Sequence, residues 1–333
     1  MKLRDHKSII IILGYLALNG AIISVSLLLK DDAAGIAPGP QSMAPEYTEI
    51  QTLEYFHLKE GKALMSLSAE HMRSQGEEVA EFTAPAGIYN YQQKNKSLQY
   101  NADKGVYRKS KNMLTLNGEV RVTSDEAKYF ADQLKYYFLK DLIVGSGNVK
   151  FEGDDLKTKD HVTVTSSKMK AQLKKKISRF EGGVNGVITR KRQYEGRMTF
   201  SSSTMDLLGD ESLAKLEGNV VMDRQDYHLT AGKADIYLEN YNKSLKYFVL
   251  NDDVKMREKF RSPEGVITER KAFAERLEGF GREQKMILSG APRVETGEDV
   301  IKGYRITVRE NVDLIEVDDA MSDVQVKRKK LKE

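Results

Sequence analysis

Apolar residues recur along most of this chain at every second position, the spacing that turns all of them to one face of a β-strand. The clearest stretch sets Leu114, Leu116, Gly118, Val120 and Val122 in one alternating frame. The frame returns as Ile143, Gly145, Gly147, Val149 and Phe151, then as Phe180, Gly182 and Val184, and again as Leu216, Gly218, Val220 and Met222. Two later copies are irregular. In Phe248, Leu250, Asp252, Val254 and Met256 an aspartate takes the glycine slot, and in Met286, Leu288, Gly290, Pro292 and Val294 a proline takes a valine slot. The central positions advance by 29, 35, 36, 34 and 38 residues, a range in which self-similarity signals a repeat architecture. Between these strands lies a second type that opens on a small residue: Ala131, Leu134, Tyr136, Phe138; Ser167, Met169, Ala171, Leu173; Ala231, Ala234, Ile236, Leu238.

The connections between strands, such as Lys109-Ser110-Lys111-Asn112, Asn242-Lys243-Ser244 and Glu310-Asn311, are too short for the crossover that parallel strands need. The sheet is therefore expected to be antiparallel. A glycine inside a strand weakens it and marks either a bend or a seat for a bulky neighbour, and a sheet that folds over on itself needs such bends.

The first residues break the pattern. From Ser8 to Leu29 the chain runs 22 residues without a charge, about 33 Å as a helix against a hydrocarbon core of roughly 30 Å. Lys2, Arg4 and Lys7 precede this run and Asp31 and Asp32 follow it, so the positive-inside bias places the N-terminus in the cytoplasm and the remainder across the membrane. The run exceeds the roughly 7 to 15 apolar residues of a signal peptide, so an uncleaved single-pass anchor is expected. Residues 33–46 hold Gly35, Gly39 and three of the six prolines, the composition of a linker, and the folded part is expected to begin near Tyr47.

Composition then removes several kinds of chemistry. The 53 basic residues against 49 acidic ones are too even a balance to suggest a nucleic-acid partner. There is no cysteine, hence no thiolate metal site, cysteine nucleophile or disulfide framework. No two of His6, His57, His71, His161 and His228 have the spacing of a zinc-binding helix, and neither GxSxG nor a P-loop is present. Asp154 and Asp155, the one acidic pair a membrane-anchored hydrolase could use, fall on an expected turn and read as solvated. Neither a catalytic residue, a metal site nor a cofactor is expected. The tail at 321–333 ends in Lys327-Arg328-Lys329-Lys330-Leu331-Lys332-Glu333, a run more often solvated than functional.

Two stretches resemble known families. ADKGVYRKSKNMLTLNGEVRV at 102–122, with GSGNVKFEG at 145–153 and FEGGV at 180–184, is similar to the body of the LptC family. MILSGAPRVETGEDVIKGYRITVRENVDLIEV at 286–317 is similar to the closing strands of LptA and OstA-type domains. The resemblance implies an all-β fold, an antiparallel β-jellyroll folded like a taco behind a single N-terminal transmembrane helix, whose interior takes the acyl chains of lipopolysaccharide. It divides the chain into a stub and anchor at 1–32, a linker at 33–46, an LptC-like jellyroll at 47–190, an LptA/OstA-like extension at 191–320 and the basic tail. It implies an inner-membrane protein with most of its chain in the periplasm. The implied partners are an inner-membrane lipopolysaccharide ABC transporter and an LptA-like or outer-membrane assembly jellyroll joined by edge-strand pairing. The chain is longer than a typical LptC, which suggests that it carries part of the bridge LptA supplies elsewhere.

The physics of the cargo points the same way. At about 0.8 kcal/mol per methylene, one acyl chain of about twelve carbons would cost on the order of 10 kcal/mol to pass through water. A continuous apolar trough with a lengthwise opening removes that cost. Leu114, Leu116, Val120, Val122, Val149, Phe151, Val184, Leu216, Val220, Met222, Leu288 and Val308 are expected to face inward and line it. The rival expectation is a structural β-solenoid or spacer with a filled interior and no lipid.

Overall fold

The computed structural model describes residues 47–59, 62–91, 96–124, 127–154, 161–189, 197–224, 227–237, 246–261, 265–280, 283–309 and 314–318. The expected anchor, linker and basic tail, together with Asp155, lie outside them. Among the described residues no helix is long and apolar enough to cross a membrane.

The described chain is an antiparallel sheet made by a meander. It opens with β1 (Tyr47–Lys59), β2 (Lys62–Gln75), β3 (Val79–Thr83), β4 (Ala86–Tyr91), β5 (Lys96–Asn101), β6 (Lys104–Arg108) and β7 (Met113–Ser124). It continues through β8 (Ala127–Tyr137), β9 (Leu142–Asp154), β10 (His161–Gln172), β11 (Ile177–Thr189), β12 (Met198–Leu208), β13 (Leu213–Arg224), β14 (Tyr227–Tyr237), β15 (Lys246–Arg261) and β16 (Ile267–Phe280). It closes with β17 (Lys285–Ser289), β18 (Arg293–Thr296), β19 (Asp299–Lys302), β20 (Arg305–Arg309) and β21 (Ile315–Asp318). From β7 to β16 each strand pairs with the next, and β11 pairs with β12, so the ladder crosses from the LptC-like stretch into the rest without a break.

Each long strand is creased at its middle. In β7, β9, β11 and β13 the crease is a pair of left-handed residues: Gly118-Glu119, Gly147-Asn148, Gly182-Gly183 and Gly218-Asn219. There the register shifts, because two residues on the creased strand oppose one on the next strand, which is a β-bulge. Inserting a pair keeps the inward parity, so Leu116 before the crease and Val120 after it both point inward. Where the short strands pair, the crease becomes a gap: β5 and β6 pair with opposite halves of β7, and β17 and β18 with opposite halves of β16. The sheet thus consists of two half-sheets meeting along one line. They face each other, since Phe151 in one and Phe180 in the other bring their ring centroids to 6.1 Å, and Tyr227 and Phe248 do so at 6.4 Å.

The irregular fifth repeat is a swap of side chains. In the regular copies a crease glycine lies against a polar side chain of the neighbouring segment before it; a Cβ on Gly218 would come within 2.7 Å of Ser203 Oγ. In β15 the crease is Asp252-Asp253, with φ of 69° and 51°. The glycine has moved to the neighbour, where a Cβ on Gly232 would lie 2.8 Å from the Asp252 Cβ. The Asp252 carboxylate reaches outward to Lys233 Nζ at 3.0 Å and raises the pKa of that ammonium. Gly232→Asp alone is expected to cost about 1–3 kcal/mol in urea unfolding through overpacking, and adding Asp252→Gly should recover most of it by restoring the regular arrangement.

Candidate functional site

The inner face of the folded sheet is built from rows of paired residues that run across the strands. In one half-sheet a row passes through Met72, Phe82, Gly105, Leu116, Leu134, Gly145, Met169, Phe180, Met205, Leu216, Ala234, Leu250, Leu277, Leu288, Ile306 and Val317. In the other it passes through Leu67, Gly87, Tyr100, Val122, Tyr129, Phe151, Val164, Gly186, Phe200, Met222, Leu229, Met256, Ala272, Val294 and Ile301. Neither row contains a charged residue. With about 4.8 Å between strands, each runs for roughly 70 Å along the sheet. Between them, along the crease, Val120, Val149, Val184 and Val220 pair with Ala131, Ser166, Ser202 and Ala231.

All twelve residues expected to line a trough lie in this interior. Leu116, Leu216 and Leu288 belong to the first row, Val122, Phe151 and Met222 to the second, Val120, Val149, Val184 and Val220 to the crease, and Leu114 and Val308 to the next row outward of the first half-sheet. All are buried in a single apolar cluster.

Several glycines of the inner face act as seats for large side chains, the alternative to a bend that the sequence left open. The place of a Cβ on Gly279 lies 2.5 Å from the Phe248 ring, and that on Gly87 2.5 Å from the Tyr100 hydroxyl. Gly186 is covered by Phe200 in the same manner. Tyr100 donates from its hydroxyl to the Ser66 carbonyl at 3.2 Å, and burial pushes its pKa well up.

The two ends of the trough are filled differently. Toward the C-terminus, Met286, Leu288, Ile306 and Val308 are fully covered. Toward the N-terminus, Tyr89, Leu98, Tyr100, Leu114, Leu116, Val122, Leu134, Tyr136, Phe138, Ile143 and Leu173 line an apolar cavity of about 60 Å³, room for a few water molecules. The cavity lining includes Tyr89, whose pKa is raised by burial and by the charge of Asp141, and Tyr136, which donates to Asp141 Oδ1 at 3.3 Å.

Among the described residues one fully buried charged pair enters the interior, and sequence reasoning missed it. Glu258 and Arg270, directly opposed on β15 and β16, are 1% and 0% exposed. Arg270 Nε and Nη2 donate to Glu258 Oε2 at 3.1 and 2.6 Å, and its guanidinium carbon lies 4.7 Å from the centre of the Phe260 ring. The available signal was parity, because Glu258 follows Met256 in the inward frame. Asp154, half of the acidic pair considered for catalysis, ends β9 rather than sitting in a turn, and lies 2.6 Å from His161 Nδ1.

The outer strands of the sheet differ in length. Among the described residues β1 pairs only with β2, and it exposes Tyr47, Ile50, Tyr55 and Phe56. At the other end β19 and β21, of four residues each, pair only with β18 and β20, and Val300, Tyr304 and Leu314 are exposed there.

Comparison with known proteins finds two family matches along the chain. Residues 14–189 match the family described as lipopolysaccharide-assembly, LptC-related, and residues 199–313 match the LptA/(LptD N-terminal domain) LPS transport protein family. No curated protein matches the chain. Among solved structures, LptH, the LptA homologous periplasmic component of the lipopolysaccharide transport device from Pseudomonas aeruginosa, is similar to 39% of this chain over 89% of its own length, at 15% identity and a TM-score of 0.32. The first match covers more than half of the chain, which therefore belongs to the LptC-related lipopolysaccharide-assembly family and carries an LptA-like segment after its LptC segment.

Proposed function

We propose that this protein is a membrane-anchored, non-enzymatic carrier that shelters the acyl chains of lipopolysaccharide between its two half-sheets and passes them from the LptC-like segment to the LptA-like one. The fold is a taco-like β-jellyroll whose crease is the closed side and whose free margins are the opening. The Ser8–Leu29 segment holds the chain in the inner membrane with its N-terminus cytoplasmic, and the sheet stands in the periplasm. An ABC transporter of that membrane supplies the lipid and the energy. An LptA-like or outer-membrane jellyroll receives the lipid by pairing with an edge of the sheet, since a strand edge offers its unpaired backbone groups to another sheet.

The observation that carries this reading is the pair of uncharged rows, which continue through the β11–β12 pairing from one family segment into the other. A conduit requires that continuity. The filled interior toward the C-terminus favours the rival spacer, and recovery of bound lipid separates the two. Full-length protein extracted in detergent from a lipopolysaccharide-producing host is expected to retain lipopolysaccharide, detected by mass spectrometry. Val220→Glu, which sets a charge in the trough, should reduce the recovered lipid about tenfold or more, as expected for a difference above ~1.4 kcal/mol. Val221→Glu, on the opposite face of the same strand, should leave recovery unchanged. Equal recovery from both variants, or none from the unmodified protein, would favour the spacer.

A further inference from the structure

An inward row near the free margin of the second half-sheet changes character along its length. Through Val162, Ile188 and Met198 it is apolar, each residue paired with the next. It then continues, again in register, as Arg224, Tyr227, Glu258 and Arg270. Arg224 Nη1 donates to the Tyr227 hydroxyl at 3.0 Å, and Glu258 accepts from Arg270. The last residue does more than complete the row. Arg270 Nη2 also donates to the backbone carbonyl of Arg309 at 2.9 Å. Arg309 ends β20, which pairs with β17 in the first half-sheet, whereas the stretch of β16 holding Arg270 pairs with β18 in the second. One guanidinium therefore ties the two margins across the opening.

We propose that Glu258 and Arg270 form a latch that fastens the trough shut in its LptA-like part, so that acyl chains advance beyond β15 only when Arg270 leaves the Arg309 carbonyl. Three observations support it. The tie crosses between half-sheets rather than within one. Both charges are fully buried, so Glu258 holds the guanidinium in place without competition from water. The interior beside the tie is completely covered, whereas the apolar cavity lies at the other end of the sheet. A latch of this kind makes the last section selective in time: lipid waits in the LptC-like part until an event at the C-terminal edge, such as pairing with the next sheet, draws β20 away.

The inference rests on the carrier reading, and the test separates their failures. Because the chain has no cysteine, nitroxides can be placed at Ile267→Cys and Glu283→Cys, exposed sites near the opposite margins. In the unmodified latch their distance distribution should be narrow, and in Glu258→Leu/Arg270→Met, which keeps the volume and removes the tie, it should broaden toward longer distances. In parallel, photo-activatable residues at Leu216 and Leu288 report lipid on either side of the latch. Crosslinking of lipopolysaccharide at Leu216 should be the same in both proteins, while that at Leu288 should rise about tenfold without the tie, a population shift of one factor of ten. Unchanged distances together with equal crosslinking at Leu288 would overturn the latch and leave the carrier reading standing. Absence of crosslinks at Leu216 in both proteins would overturn the carrier reading, and the distance distributions alone would then decide whether the margins are fastened here.

Discussion

Arg270→Ala is expected to lower the stability of the folded sheet by about 3–5 kcal/mol, because it removes the guanidinium that faces the buried Glu258 carboxylate. Glu258 is 1% exposed and its facing cation is the direct cross-strand neighbour, so the sheet offers that carboxylate no short path to water. Glu258→Leu/Arg270→Met removes both charges at similar volume and should be neutral or stabilising by about 1–4 kcal/mol, since the desolvation cost of both ions disappears with them. Urea unfolding of the three proteins, followed by far-ultraviolet circular dichroism, measures this. Equal losses in the single and double variants would mean that the ion pair is itself a net source of stability, against the desolvation argument. A latch retained despite this desolvation cost is better understood as a device for specifying when the margins separate than as a source of stability.

Phe180→Ala should be the other large loss, about 3–5 kcal/mol. Phe180 is fully buried in β11, pairs with Met169 and Met205 in the first apolar row, and faces Phe151 across the trough at 6.1 Å. Its deletion opens a void beside the strand that joins the two family segments. Phe56→Ala on β1 is the control: that ring is 57% exposed, and its removal should change stability by no more than about 0.5 kcal/mol. Thermal unfolding distinguishes them, and similar midpoints for both variants would show that the interior at β11 refills easily.

The period of two made the strands and their inward faces legible, because a half-buried strand must alternate and any slip by one residue would turn the whole apolar set outward. The repeated glycines also pointed correctly to bends. What stayed hidden depends on partners distant in sequence. Gly186 and Gly279 look like ordinary strand glycines until Phe200 and Phe248 are found above them. The aspartate in the fifth repeat looks like decay of the pattern until Gly232 is found opposite it. The Glu258–Arg270 pair could be located in the inward frame from parity, yet its tie to Arg309 depends on the creasing of the sheet, which brings margins together that lie 39 residues apart. Alternation likewise shows which residues face inward but not how tightly they pack, so the small cavity and the covered C-terminal interior became apparent only in three dimensions.

If both family segments share one apolar path for lipid, site-specific photo-crosslinking in living cells will trace it along the sheet. With a photo-activatable residue placed singly at Leu116, Phe180 and Val220, lipopolysaccharide adducts are expected at all three: in the LptC-like segment, at the join and in the LptA-like segment. Adducts at Leu116 alone would confine the cargo to the first segment, and adducts at none of the three, in protein that remains folded, would contradict the conduit altogether.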